Sequence, residues 1–202
     1  MQKVSEFGDI PLSNIPSGNL REQFYNHYHM VKSQEFAESI SSWKPGVPID
    51  TPYISWFYWP EQFFTCLTQL SIMGVESYTC SAAYHELGIR GKLKENIKFV
   101  RDPFLLKGER GTASKFYKLL PALVSNDITL PEYDSNLWRD VKLFYRSMRN
   151  PLFHGNQLDT KQITDLIAIF ELLADIYAWI DSWHSPDSVI PGTGWVTKLK
   201  RT

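Results

Sequence analysis

The chain has 202 residues, of which 43% are hydrophobic, and this predicts one domain with decorations and ample material for a core. Its 21 Lys and Arg and 22 Asp and Glu give a formal net charge of −1. The protein therefore has no overall positive charge that would attract nucleic acid, and any RNA contact has to depend on a local group of basic residues. No apolar run reaches about 18 residues and the N-terminus lacks a signal-peptide core, so we expect neither a membrane span nor secretion.

The two cysteines do not predict a disulfide. Cys66 and Cys80 lie on one predicted helix, 14 residues apart in the sequence. A helix rises about 1.5 Å per residue, so their separation is about 21 Å, which is too far for a bond between the sulfur atoms. Two cysteines that are not expected to form a disulfide fit a protein of the reducing cytoplasm.

Residues 1–59 form an N-terminal region with one predicted helix. Residues 1–19 read as an irregular arm, and residues 20–43 show fair helical periodicity. Prolines break residues 44–59, which lead into an aromatic cluster at 53–59. The cluster either covers the core or forms an exposed surface for base stacking or dimerisation.

Residues 60–87 predict a long central helix. Apolar residues occupy nearly all of its sides, and Pro60 suits its first turn. Glu76 is the only charged residue in positions 62–84. A carboxylate there is costly unless it is paired, so it either pairs with a cation or lies partly exposed at a bend near Gly74.

Residues 88–111 are the only segment of the sequence in which Lys and Arg are concentrated, and the segment contains several glycines. We expect solvated loops here, and contact with RNA phosphates is the alternative. The candidate RNA-binding residues are Arg90, Lys92, Lys94, Lys98 and Arg101. Residues 112–125 predict a further helix.

A short polar motif follows an amphipathic helix. Asp134 or Ser135 suits the start of that helix, and its apolar stripe is Leu137, Val141, Phe144 and Met148. The motif is Arg149-Asn150-Pro151-Leu152-Phe153-His154, followed by Gly155. Pro151 lacks an N–H and disfavours helical backbone before it, so we expect the helix to end here. A kink would let the side chains of Arg149 and His154 reach one cleft.

The last predicted helix begins after Asp159–Gln162, a variant capping box, and has one strongly apolar face. Residues 184–202 read as a tail. His27 and His29 diverge by about 200° on a helix, and the cysteines form no C-x-x-C pair. No phosphate-binding loop or nucleophile elbow occurs. We therefore expect no metal site and no cofactor.

The motif resembles that of the HEPN superfamily, written R-N-x-x-x-H and often followed by Gly. The resemblance covers about residues 60–183 and implies an all-α, antiparallel bundle of about four to five helices. Many members are metal-independent endoribonucleases that act as homodimers with two motifs facing one cleft. The segment Ile72–Ser77 is similar to the first conserved helix of some members, in which an acidic residue projects towards the motif. This implies a Glu76–Arg149 contact.

The resemblance implies a cytoplasmic endoribonuclease whose catalytic residues are Arg149, Asn150, His154 and Glu76. It also implies RNA as a partner and a role as a toxin or in antiviral defence, with a possible neutralising antitoxin. Two alternatives stay open: a catalytically silent module that binds RNA, a nucleotide or a protein, and an unrelated helical protein. An exposed polar cleft favours the enzyme, whereas a buried, fully bonded motif favours the scaffold.

Overall fold

The fold is all-α, as the helical periodicity predicts. The computed structural model describes residues 17–44, 60–158 and 162–184, and these ranges contain helices and no strand. The predicted aromatic cluster 53–59, the cap Asp159 and the tail from residue 185 lie outside them. The helices are α1 (Ser17–Lys32), α2 (Gln34–Ser41), α3 (Pro60–Ile89), α4 (Leu93–Arg101), α5 (112–124), α6 (Leu130–Tyr133), α7 (135–153) and α8 (Ile163–Trp183).

Helix α3 is the centre of the fold. It packs against α1, α4, α5 and α8, and it also contacts the end of α7. Phe64, Ile72, Val75 and Tyr78 are fully buried, which the apolar sequence of this helix predicts. One face nevertheless stays open, since Leu70 and Met73 are at least half exposed.

The first predicted helix is divided in two. Ser33 has extended backbone between α1 and α2, and its hydroxyl donates to the carbonyl of Met30 and accepts from the N–H of Phe36. A serine that bonds its own backbone in this way competes with helix continuation and caps the next helix. Helix α1 packs against both α3 and α8, and so joins the bundle.

The basic segment is helical in part, although we expected loops: Leu93–Arg101 forms α4, whereas residues 106–111 are irregular. After α3 a turn at Gly91, with φ +67°, reverses the chain into α4. Val100 is buried in a satellite cluster formed by α3, α4 and α5. The burial of this apolar face outweighs the glycine and charge content that suggested loops.

Two helices continue through an internal proline, and this corrects the expected helix end at Pro151. In α5 a wider π turn, Lys115–Leu119, precedes Pro121. In α7 the π turn Tyr145–Arg149 stands in the same register before Pro151. A proline has no N–H to donate to the carbonyl four residues earlier, and its ring clashes with that carbonyl. A π turn relieves both the missing hydrogen bond and the clash without ending the helix.

The caps of the last two long helices differ. Asp134, one of the two predicted caps, caps α7, because its carboxylate accepts from the N–H groups of Asn136 (2.8 Å) and Leu137 (3.0 Å). Helix α8 begins at Ile163, and Gln162 stands at its N-cap position without a side-chain capping bond. In the core, α8 buries residues such as Leu166, Phe170 and Trp179.

Candidate active site

Glu76 of α3 and Arg149 of α7 form a two-pronged ion pair, which confirms the predicted contact. Arg149 Nε lies 3.1 Å from Glu76 Oε1, and Nη2 lies 3.2 Å from Oε2. The Glu76 side chain is only 10% exposed and that of Arg149 only 13%. Such parallel bonds fix the orientation of the guanidinium as well as its charge.

Two tyrosines extend this pair into the core. The Tyr145 hydroxyl donates to Glu76 Oε1 at 2.9 Å and is hydrogen-bonded to the Tyr117 hydroxyl. Because Tyr145 gives its one proton to Glu76, Tyr117 must be the donor in the bond between the two tyrosines. Burial raises the pKa of both phenols well above the usual value, and the charge of Glu76 adds to the effect, so both remain donors at neutral pH.

The π turns place both tyrosines in this network. Tyr145 opens the π turn that Arg149 closes, and the N–H of Asn150 bonds the Tyr145 carbonyl five residues back. Tyr117 lies inside the other π turn. Isolated π turns are frequent at functional sites, because the extra residue redirects side chains from their α-helical positions.

His154 stands at the exposed end of α7. It is the C-cap residue, and its side chain makes no hydrogen bond to any described residue. The N–H of Gly155 bonds the Leu152 carbonyl at 3.3 Å, and that of Asn156 bonds the Pro151 carbonyl at 3.1 Å. These two bonds form a Schellman motif, in which the residue after the cap needs positive φ. Gly155 supplies it with φ +93°.

We expect Gly155→Ala to weaken the end of α7. A side chain at this φ costs about 1–2 kcal/mol, although the space around the position is open. Urea denaturation should show a loss of this order, with faster amide exchange at Asn156. Gly91→Ala, at φ +67° and also in open space, is the matched control for the general cost of such a change. Unchanged stability and exchange in Gly155→Ala would contradict the capping role.

Aromatic rings enclose the guanidinium of Arg149. Its Cζ atom lies 4.2 Å from the centroid of the Phe153 ring and 5.8 Å from that of Tyr145. The N–H groups of Nη1 make no hydrogen bond to any described residue. Asn150 is half-buried, and its carbonyl accepts the His154 N–H at 3.1 Å. The amide of its side chain likewise has no bonded partner in the described ranges.

Helix α3 also holds the turn that follows the motif. The Gln69 side chain donates to the Leu152 carbonyl at 2.9 Å, and the Leu158 N–H donates to the Thr65 hydroxyl at 2.9 Å. The motif is therefore anchored on both sides of His154 to the N-terminal half of α3. His154 lies in an exposed stretch, residues 153–157, and the residues on either side of this stretch, Leu152 and Leu158, are buried.

The basic segment lies apart from the motif. Arg90, Lys92, Lys94, Lys98 and Arg101 are all exposed, but they follow the C-terminal end of α3. Arg90 is 21 residues beyond Gln69, or about 31 Å along the helix axis. Within one chain these cations and His154 are not gathered into one cleft.

Four residues contribute to the site without having been predicted from the sequence: Gln69, Tyr117, Tyr145 and Phe153. Tyr145 and Phe153 each lie four residues from Arg149, so helical spacing offered a signal for both. Tyr117 and Gln69 belong to other helices, and their roles follow only from how those helices pack. Cys66 and Cys80 are free thiols, and burial raises the pKa of Cys80 to about 12, so it is no nucleophile at neutral pH.

None of the described helices combines the length and the apolar character that crossing a bilayer requires. Comparison of the chain with protein-family models, with curated proteins and with solved structures gave no significant match.

Proposed function

We propose that this protein is a metal-independent endoribonuclease of the HEPN type, acting through His154 and Arg149. One observation carries the proposal. A solvent-exposed imidazole stands at a capped helix end, five residues after an arginine whose orientation is fixed by Glu76. A stable helix junction alone does not require a histidine whose side chain bonds none of the described residues.

RNA brings its own nucleophile to such a site. The 2′-hydroxyl loses its proton and attacks the adjacent phosphorus, and the bond from phosphorus to the 5′-oxygen breaks. The leaving oxygen gains a proton, and the product end is a 2′,3′-cyclic phosphate. Imidazole transfers protons near neutral pH and suits either step. The reaction balances without water, a metal ion or a cofactor.

Arg149 is suited to stabilise charge on the phosphate. Its Nε and Nη2 are committed to Glu76, while the donors of Nη1 remain for an oxyanion. Glu76 is a positioning residue that sets the guanidinium plane, and the Tyr145 hydroxyl holds Glu76 in turn. Asn150 orients the turn that carries His154, and its side-chain amide is available to the phosphate or sugar.

The direct test is incubation of the purified protein with mixed RNA in EDTA. We expect fragments that end in a cyclic phosphate or its opened form. Intact RNA after prolonged incubation, at a temperature where circular dichroism shows folded protein, would contradict the nuclease.

We further propose a two-fold homodimer in which the two motifs approach each other. One chain offers one imidazole in the motif, whereas the pair supplies separate acid and base candidates. The open face of α3 supports this arrangement, because Leu70 and Met73 are exposed beside Gln69, which bonds the motif turn. Exposed apolar residues next to one another are typical of interaction surfaces.

Light scattering at micromolar concentration should therefore give the dimer mass. Met73→Glu should shift the protein towards monomer, because it places a charge in the interface. Ile89→Glu is the matched control, since Ile89 is equally exposed at the other end of α3. A strict monomer, or equal effects of both changes, would count against this dimer.

The second candidate function is a catalytically silent module that binds RNA, a nucleotide or a protein. The observation that favours it is the tight commitment of Arg149 to Glu76 and Phe153. Such a module would retain RNA in a fluorescence anisotropy titration and release no cyclic phosphate. A role as a toxin or in antiviral defence, with a neutralising partner in the cytoplasm, belongs to the nuclease proposal and comes from the motif alone.

A further inference from the structure

A second cluster of chemically active side chains lies at the other end of the bundle. His85 and Glu86 belong to the C-terminal part of α3, and His184 follows the last residue of α8. Each offers one ligand atom, and these atoms all lie within 4.8 Å of one another. Two imidazoles and a carboxylate from distant parts of the chain thus converge on one point.

The distances suit a shared ion better than a simple hydrogen bond. His184 Nδ1 lies 3.4 Å from Glu86 Oε1. A charge-assisted bond between such groups is about 2.7–2.9 Å long. Donors about 2.0–2.2 Å from a tetrahedral Zn²⁺ lie about 3.3 Å from one another. The pair is therefore already spaced as two corners of a tetrahedron. All three ligand atoms lie within 4.8 Å of one another, so His85 has to approach by no more than about 1.5 Å to complete a third corner.

Two of the three side chains in the cluster are largely buried. The His184 side chain is only 1% exposed and that of Glu86 only 14%. The distance to Glu86 makes Nδ1 the ligand atom of His184, and the other nitrogen, Nε2, is buried without a hydrogen-bond partner among the described residues. The His85 ring lies edge-on to the His184 ring, with the two centroids 5.2 Å apart, so the two rings do not stack on each other.

We propose that His85, Glu86 and His184 bind a divalent transition metal ion, with zinc favoured by the donor set. Two imidazole nitrogens and one carboxylate oxygen are ligands that Zn²⁺ takes, and water completes the tetrahedron. The nearby Asp181 is not a ligand, because Tyr78 bonds one of its oxygens at 2.8 Å and Arg21 the other at 2.6 Å.

The site links the ends of the two longest helices, α3 and α8, and its role is structural. Glu86 lies ten residues beyond Glu76, or about 15 Å along α3, so the ion stands apart from the ribonuclease chemistry. The ion would bind whether or not the protein cleaves RNA. In EDTA the protein should lose thermal stability while any RNA cleavage by the folded fraction persists.

The test is a titration of chelator-treated protein with Zn²⁺ in a calorimeter. We expect one ion per chain with a Kd at or below about 1 µM. Since an ion that binds only the folded state stabilises it, 100 µM Zn²⁺ should also raise the melting temperature. Co²⁺ should give the visible absorption of a tetrahedral site. A folded wild-type protein that binds no Zn²⁺ at 100 µM overturns the proposal.

Variants identify the ligands. Glu86→Gln keeps the shape of the side chain and removes its charge, and His85→Ala removes one imidazole. Loss of groups that merely orient metal ligands costs about 10–100-fold in affinity, so loss of a ligand should cost at least about 100-fold. His29→Ala, an exposed histidine on α1, should bind as the wild type does. Equal affinity in all three variants would place the ion elsewhere and overturn this assignment.

Discussion

Replacing His154 with alanine is expected to lower the rate of RNA cleavage by about 10²–10⁴-fold, which is the usual contribution of a positioned proton-transfer group. The fold should survive, because the His154 side chain is exposed and its backbone bonds to Asn150 and Pro151 do not depend on the ring. The measurement is a single-turnover cleavage assay in EDTA, with circular dichroism on the same samples. Cleavage at the wild-type rate by this variant would remove the proposed mechanism.

Two further variants separate chemistry from structure at this position. His29→Ala removes an exposed histidine from α1 and should leave cleavage unchanged. Added imidazole should partly restore the His154→Ala enzyme, since a free base can occupy the vacated position. Rescue distinguishes a proton-transfer role from a role in shaping the end of α7. Arg149→Lys should also be impaired, because an ammonium group cannot reproduce the paired guanidinium contacts.

The parts of this site that could be predicted from sequence are those that local chemistry dictates. Glu76 is a lone charge in a long apolar helix, so pairing with a cation was one of the two expected outcomes beside exposure at a bend, and the motif resemblance supplied Arg149. The cap at Asp134 follows from the same kind of reasoning, because its partners are the next residues along the chain.

Other features depend on the assembled fold and left no such signal. The rule that proline ends a helix failed at Pro151, because a π turn offered a less costly solution in a helix already held by core packing. The Tyr117–Tyr145 bond requires two π turns to face each other, which no periodicity reveals. The cluster of His85, Glu86 and His184 joins residues nearly 100 positions apart, and only the packing of α8 on α3 brings them together.

Breaking the Glu76–Arg149 pair is expected to cost far more than its two hydrogen bonds suggest. Arg149→Ala leaves the Glu76 carboxylate buried with the Tyr145 hydroxyl as its remaining bonded partner, and removal of one member of a buried pair costs about 3–5 kcal/mol. Urea denaturation should show this loss in the free energy of unfolding. Arg139→Ala is the control, because its pair with Asp140 is exposed, and we expect a change within about 0.5 kcal/mol.

Glu76→Gln then separates the contribution of the pair to stability from its contribution to activity. The amide keeps the size of the side chain and one acceptor oxygen but loses the charge that fixes the guanidinium plane. Cleavage should fall even where the protein is fully folded, because Arg149 is no longer held in one orientation for the phosphate. A double change to Glu76→Gln with Arg149→Met removes both charges, and it should recover much of the stability that Arg149→Ala loses, but none of the activity. If the urea midpoint of Arg149→Ala equals that of the wild type, the pair does not hold the bundle together. If Glu76→Gln cleaves RNA at the full rate, Glu76 does not position the arginine.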